Sequence, residues 1–183
     1  AREHLSGAAV TRVSVDAVAK AADVSRQTVY NAFGSKSGLL EALFDSLAEH
    51  AGLALDPAFA AADADEALAE FCAAFCRFWA SERPVVRRLR GLAVLDDDLA
   101  RLLRERDDMR RAALSALLGR FSAEPPAADA VDVIWQLTSF ESFDLLAGRD
   151  RTDADGQPDG GRGVDEVAEL IARTAVAVRG GNA

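Results

Sequence analysis

Between residues 14 and 50 the apolar positions come in three short runs separated by two breaks. Val15, Val18, Ala19 and Ala22 fall at i, i+3, i+4 and i+7, the spacing that gathers side chains on one face of a helix. Ser14 stands where an N-cap belongs, and Asp16 lies in the first turn, where the helix dipole favours a negative charge. Asp23 ends this run at a turn position that wants a left-handed backbone, which Asp tolerates at some cost. Ser25 then caps a second helix, with Val24 and Val29 spaced to form a hydrophobic staple across its start. Val29, Ala32 and Phe33 take its inward face. Arg26, Gln27, Tyr30 and Asn31 face outward, with Thr28 at the border. Gly34 suits the residue after a helix, and Ser35 caps a third helix running to His50. Its stripe of Leu39, Leu40, Leu43, Phe44 and Leu47 is wide enough to pack on two neighbours.

Residues 51–57 break the pattern and mark a domain boundary, dividing the chain into domains over 1–50 and 57–183. Asp63 to Ser81 is apolar around more than half its circumference and predicts a central helix, capped by Asp63 or Asp65. A short helix follows from Pro84 to Leu95, with Arg83, Arg87, Arg88 and Arg90 on its polar face; a solvated face explains these arginines better than a ligand site. Asp96, Asp97 and Asp98 sit at the next helix start as cap and dipole complement, because consecutive residues on a turn do not converge on one ion. That helix reaches about Phe121, with Leu99, Leu102, Leu103, Met109, Ala113, Leu117 and Leu118 as its buried side. Pro125 and Pro126 stop the chain before a helix over 127–147 with two apolar faces. One holds Val131, Ile134, Trp135, Thr138 and Leu145, the other Val133, Leu137 and Phe140. The Gly- and Asp-rich stretch 149–163 predicts a mobile loop. The last helix, Val164 to Arg179, carries Val164, Val167, Ala168, Ile171, Thr174, Ala175 and Val178 in register. The fold class is therefore all-α: an N-terminal helix-turn-helix followed by a larger helical domain.

The outward face of the second helix carries chemistry suited to DNA. Arg pairs bidentately with guanine, Gln or Asn with adenine, and Thr meets a thymine methyl. These residues sit toward the N-terminal end of the helix, the end such motifs push into the major groove. Lys36, at the positive N-terminus of the third helix, adds an ammonium suited to a phosphate.

The segments VDAVAKAADVS, SRQTVYNAF and GSKSGLLEALF together resemble the DNA-binding domain of TetR-type (tetracycline-repressor-like) transcriptional regulators over about thirty residues. The resemblance implies that Ser25, Arg26, Gln27, Thr28, Tyr30 and Asn31 face DNA, that Lys36 holds a phosphate, and that Ser14 makes a further backbone contact. Asp23 and Gln27 depart from the family pattern, where Gly is usual or frequent. The resemblance also implies a longer first helix preceding Ala1, because Ala1 to about Ser6 could form only its last turn. It further implies a homodimer built on the two closing helices, with Val131, Ile134, Thr138, Leu145, Val167, Ile171, Thr174 and Val178 at the interface, binding a palindromic double-stranded operator. The larger domain also carries side chains able to line an effector cavity: the aromatics Phe75, Phe78, Trp79, Trp135 and Phe140, with Met109. Such a lining suits a small hydrophobic or amphipathic molecule, and repression relieved by that molecule is the family's expectation.

Composition sharpens this picture. The 183 residues carry a formal net charge of −9, which opposes long-range attraction to DNA. The acidity lies outside the motif: residues 11–40 hold four Lys or Arg against Asp16 and Asp23 alone. Affinity should then depend on close contacts and on salt. Cys72 and Cys76 share a helix face, and with no His or third Cys nearby they read as core residues. Two cysteines without extracellular cues, no signal peptide and no run long enough to span a bilayer point to a cytoplasmic protein with no membrane partner. No cofactor is called for. With two His, both near the N-terminus, and no nucleophile–base set, an enzyme is disfavoured. A helical carrier or dimeric interaction protein that has lost DNA binding is the alternative, motivated by the acidity.

Overall fold

The computed structural model describes residues 14–148 and 161–181. The expectations for Ala1–Ser6 and for most of the 149–163 loop lie outside them. Ten helices and no strand occur among the described residues. They are α1 (Val15–Ala21), α2 (Arg26–Phe33), α3 (Lys36–His50), α4 (Asp56–Ala60), α5 (Ala64–Ser81), α6 (Arg83–Ala93), α7 (Asp97–Gly119), α8 (Ala128–Leu137), α9 (Phe140–Leu146) and α10 (Val164–Gly180). The chain is all-α, as its periodicity predicts. None of these helices is long and apolar enough to cross a membrane.

The helices gather into two compact units that do not follow a single cut along the chain. The first takes the chain up to Gly52 and then Glu82–Arg106; the second takes Leu53–Ser81 and the chain from Asp107 onward. Periodicity alone does not tell which unit the 82–106 segment joins, because an amphipathic helix can bury its stripe against either.

In the first unit Val15, Val18, Ala19, Val29 and Leu39 form one buried cluster, with Tyr30 packed against it. Further along α3, Leu40, Leu43, Phe44 and Leu47 are also buried, as are Val85, Val86 and Leu89 of α6 and Leu99, Leu102 and Leu103 of α7. Each buried leucine contributes about 1.5–3 kcal/mol of transfer free energy. Two polar clamps tie α3 to the start of α7. The Lys36 ammonium lies 2.6 and 2.7 Å from the two Asp96 carboxylate oxygens. Further along both helices, the Arg106 guanidinium reaches Asp45 at 2.8 Å and lies 5.9 Å from the Phe44 ring centre. Both helices advance in the same direction between the clamps, so they run parallel with their N-termini side by side.

In the second unit α5 is central, as its wide apolar surface predicts, and packs against α10, α4 and α9. Asp63 is its cap: one carboxylate oxygen accepts from the amides of Asp65 and Glu66 at 3.0 and 2.9 Å. Periodicity does not predict the short α4; five residues with a proline are too few to show a period.

The expected single helix over 127–147 is two. Arg110 donates to the Trp135 carbonyl, and the Thr138 hydroxyl donates to the same carbonyl at 3.0 Å. A continuing helix would need that acceptor for the Ser139 amide. The Ser139 amide bonds the Gln136 carbonyl at 3.1 Å instead, and its hydroxyl caps the new helix by accepting from the Ser142 amide at 3.2 Å.

The α7 stripe also differs by one position. Met109 is 56% exposed, and Arg110 is buried in its place, seven residues from both Leu103 and Leu117. Arg110 is in phase with the buried leucines, and a period of 3.6 puts Met109 off that face.

Cys72 and Cys76 are buried and unbridged. Burial pushes both thiols up to about 12, and for Cys72 the neighbouring Cys76 adds to the effect. At pH 8 only about one thiol in ten thousand is then a thiolate, the reactive form. Iodoacetamide titration at pH 8 should leave both cysteines unlabelled in the folded protein and label both in urea; rapid labelling without denaturant would contradict this placement.

Candidate nucleic-acid interface

The interface is built by local bonds that the sequence dictates. Ser14 starts α1, its hydroxyl accepting from the Ala17 amide at 3.2 Å. The chain leaves α1 through Asp23 at φ 52°, the left-handed position expected there. The Val24 amide bonds back to the Ala19 carbonyl at 3.0 Å, which closes the turn. Ser25 caps α2 by accepting from the Thr28 amide at 3.0 Å, and its hydroxyl lies 2.8 Å from the Thr28 hydroxyl.

The polar face of α2 is exposed and braced by pairs one turn apart. Gln27 donates to the Asn31 side-chain oxygen at 2.8 Å. The Arg26 guanidinium is 3.4 Å from the Tyr30 hydroxyl, 5.5 Å from the centre of its ring and 3.3 Å from Asp16. The Tyr30 hydrogen bond and the Asp16 charge raise the pKa of Arg26, so its charge is secure at every physiological pH. Each amide keeps free donor or acceptor capacity after the Gln27–Asn31 bond, so both remain competent to read a base edge. Tyr30 has two roles: its ring packs on the cluster beneath while its hydroxyl stays at the surface.

The inward side of α2 is narrower than the sequence suggests. Among the described residues Val29 is buried, but Phe33 is 40% exposed and Val24 42% exposed.

The step from α2 to α3 depends on two glycines. Gly34 has φ 72°, a left-handed conformation, and its amide bonds the Tyr30 carbonyl at 2.8 Å. At Gly38 a Cβ would lie 2.2 Å from the Phe33 carbonyl oxygen, so a side chain there would force the end of α2 away from the start of α3. Ser35 caps α3 by accepting from the Gly38 amide at 3.0 Å.

Lys36, the first residue of α3, lies beside this turn but is not free. Both oxygens of Asp96 hold its ammonium, and Asp98 lies 3.9 Å away. Asp96 also caps α7, accepting from the Leu99 amide at 3.2 Å. Partial burial pushes the Asp96 carboxyl up. The hydrogen bonds from Lys36 and Leu99 and the Lys36 charge outweigh that and hold it below its ordinary 3.8.

The expected effector residues divide. Phe75, Phe78, Trp79 and Phe140 form one buried aromatic run, with ring centres 6.1 Å apart for Phe75–Trp79, 4.6 Å for Phe78–Trp79 and 5.7 Å for Trp79–Phe140. Trp79 also donates to the Thr138 carbonyl at 3.0 Å. Trp135 joins through Arg110, whose guanidinium lies 5.4 Å from the Trp135 ring and 5.8 Å from the Phe75 ring. Met109 stands apart at the surface. Residue type hides Arg110 from a sequence reading, because charged side chains are expected outside, although its phase along α7 points inward.

The expected interface residues divide as well. Val131, Ile134, Thr138, Val167 and Ile171 are buried within the unit itself. Leu145 is 76% exposed, Thr174 is exposed and Val178 is half-buried. On α8 the exposed apolar side chain is Val133, with Leu137 half-buried beside it.

Residues 1–43 match the family model of the bacterial regulatory proteins of the tetR family. The N-terminal part of the chain is thus similar to the DNA-binding domain of that family, with α1 and α2 as its helix-turn-helix. A solved structure, the TetR family transcriptional regulator PfmR from Thermus thermophilus, is similar in fold: the TM-score is 0.56 at 22% identity, over 90% of this chain and 88% of that one. No curated protein matches the chain significantly.

The backbone geometry predicts two opposite effects on stability. Asp23→Gly relieves a left-handed residue and should raise stability by about 0.5–1 kcal/mol. Gly38→Ala should lower it by about 1–3 kcal/mol through the clash with Phe33. Urea denaturation of the two variants checks both signs. The depressed Asp96 carboxyl sets an acid dependence. Its contribution is fully present above 3.8 and is lost as pH falls through the lower folded value. The stability difference between wild type and Asp96→Asn should therefore be constant above about pH 5 and shrink below it, measured by urea denaturation across pH.

Proposed function

We propose that this chain is a transcriptional regulator that acts as a homodimer on a two-fold symmetric operator and is released by a small hydrophobic or amphipathic molecule bound in its second unit. Release on effector binding makes it a repressor, acting in the cytoplasm, where its DNA is. The observation that carries the DNA reading is the exposed face of α2, where Arg26, Gln27, Thr28 and Asn31 present donors and acceptors along a helix about 12 Å long. That length matches a major groove about 12 Å wide. Ser14, Ser25 and Tyr30 flank this face, suited to phosphate oxygens.

The dimer follows from the operator's symmetry: two copies of α2 must reach half-sites about 34–36 Å apart. Val133, Leu137, Leu145, Thr174 and Val178, which the protomer leaves exposed or half-buried, are the side chains available for the contact between copies. The more deeply buried Val131, Ile134, Thr138, Val167 and Ile171 support that face from behind. The effector site is the aromatic run of Phe75, Phe78, Trp79 and Phe140, extended by Trp135. The chain passes between the two units at 52–53, 81–82 and 106–107, the last within α7. An effector that binds one arrangement of the dimer better than another shifts DNA affinity by their differential binding energy, on the order of 1–3 kcal/mol.

Fluorescence anisotropy on duplex DNA from the chain's own upstream region tests the DNA face. Arg26→Glu should weaken specific binding at least about tenfold, and Asn31→Ala should relax base preference by about 1–3 kcal/mol. Unchanged binding by Arg26→Glu would remove α2 as the reading element. Sedimentation equilibrium should find a dimer for wild type and a monomer for the Val133→Glu, Leu145→Glu double variant; a dimer in both would place the contact elsewhere.

A further inference from the structure

Among the described polar side chains around α2, Lys36 is held by a partner far away in the chain. Lys36 stands at the N-terminus of a 15-residue helix, beside the turn that follows α2, and its ammonium is gripped by both oxygens of Asp96. Asp98 adds a second carboxylate at 3.9 Å. Asp96 itself is anchored at the start of α7 through the Leu99 amide. Like a phosphate, this carboxylate sets two anionic oxygens on one ammonium.

We propose that Asp96 is an intramolecular competitor for DNA phosphate: it occupies Lys36 in the free protein and so sets the affinity and the salt dependence of DNA binding. This rests on the reading of α2 and α3 as the DNA-binding surface. Three observations support it. Lys36 keeps 30% of its side chain exposed, so a phosphate can reach it if Asp96 lets go. Its partner is not a neighbour in the chain but lies 60 residues away, on a helix that continues past residue 106 into the second unit. Asp96 has a second tether in the Leu99 amide, so its position does not depend on Lys36 alone.

The test is a double-mutant cycle read by anisotropy on a random-sequence duplex pool across a salt series, using the full chain. The variants are Asp96→Asn, Lys36→Ala and the pair together, with Asp96→Ser as a second uncharged residue able to cap α7. Circular dichroism melting verifies that each is folded. With Lys36 present, losing the Asp96 charge should tighten binding about fivefold near 0.1 M salt and steepen the slope of log affinity against log salt by about one, the signature of one added phosphate contact. In the Lys36→Ala background the same change should tighten binding by no more than about twofold and leave the slope unchanged, because only the general charge effect remains.

Equal tightening in both backgrounds would overturn the proposal, since net charge alone would explain it. Unchanged or weaker binding on losing Asp96 would overturn it too. If no variant binds duplex DNA at low salt, the DNA-binding reading itself falls and the competitor falls with it. Binding that appears only when the Asp96 charge is removed would support both.

Discussion

The constraint on which the first unit depends is the double duty of α3. One side of its first turn, through Leu39, closes the small cluster that holds α1 and α2. Among the described residues this cluster has five buried side chains; at about 1.5–3 kcal/mol per large apolar residue, the gain is comparable to the backbone entropy of about ten ordered residues, fewer than the three helices contain. The rest of α3 supplies what is missing, burying Leu40, Leu43, Phe44 and Leu47 and running parallel to the start of α7 between two charged clamps. Segment 82–106 is therefore part of the helix-turn-helix unit in the physical sense, although the chain leaves that unit between Gly52 and Glu82.

The same arrangement gives a local meaning to a net charge of −9 in a DNA-binding chain. Three acidic residues of the first unit are paired with cations. Asp16 holds Arg26, Asp96 holds Lys36, and Asp45 holds Arg106. Each pair lowers the positive potential that unbound DNA senses while keeping a cation in place near the surface. The Arg26–Asp16 pair, exposed on both sides, contributes little to stability, with a median for such pairs near 0–1 kcal/mol, so what it changes most is how readily the cation is exchanged for another anion.

Local chemistry is legible in the sequence and long-range chemistry is not. Ser14, Ser25 and Ser35 act as caps, Asp23 and Gly34 turn left-handed, and Asp63 starts α5, because each depends on partners within four residues. Periodicity gives α5 its central place. It gives α8 two apolar faces without saying which belongs to the protomer's own core; burial assigns Val131 and Ile134 inward and Val133 outward. The break at Thr138–Ser139 depends on Arg110, 28 residues before Thr138. Residue type argues against Arg110 in the core although its phase on α7 is right, and argues for Met109 although its phase is wrong. The Lys36–Asp96 pair joins residues 60 apart, and no local rule connects them.

The central claim is that the exposed face of α2 reads duplex DNA in a two-fold symmetric arrangement. Selection of bound duplexes from a random-sequence pool by the intact chain, sequenced over successive rounds, tests it most directly. An inverted repeat should be enriched, with half-site centres one helical turn or a multiple of it apart, about 10–10.5 base pairs each. Enrichment of a single asymmetric site, or none at low salt, would contradict it.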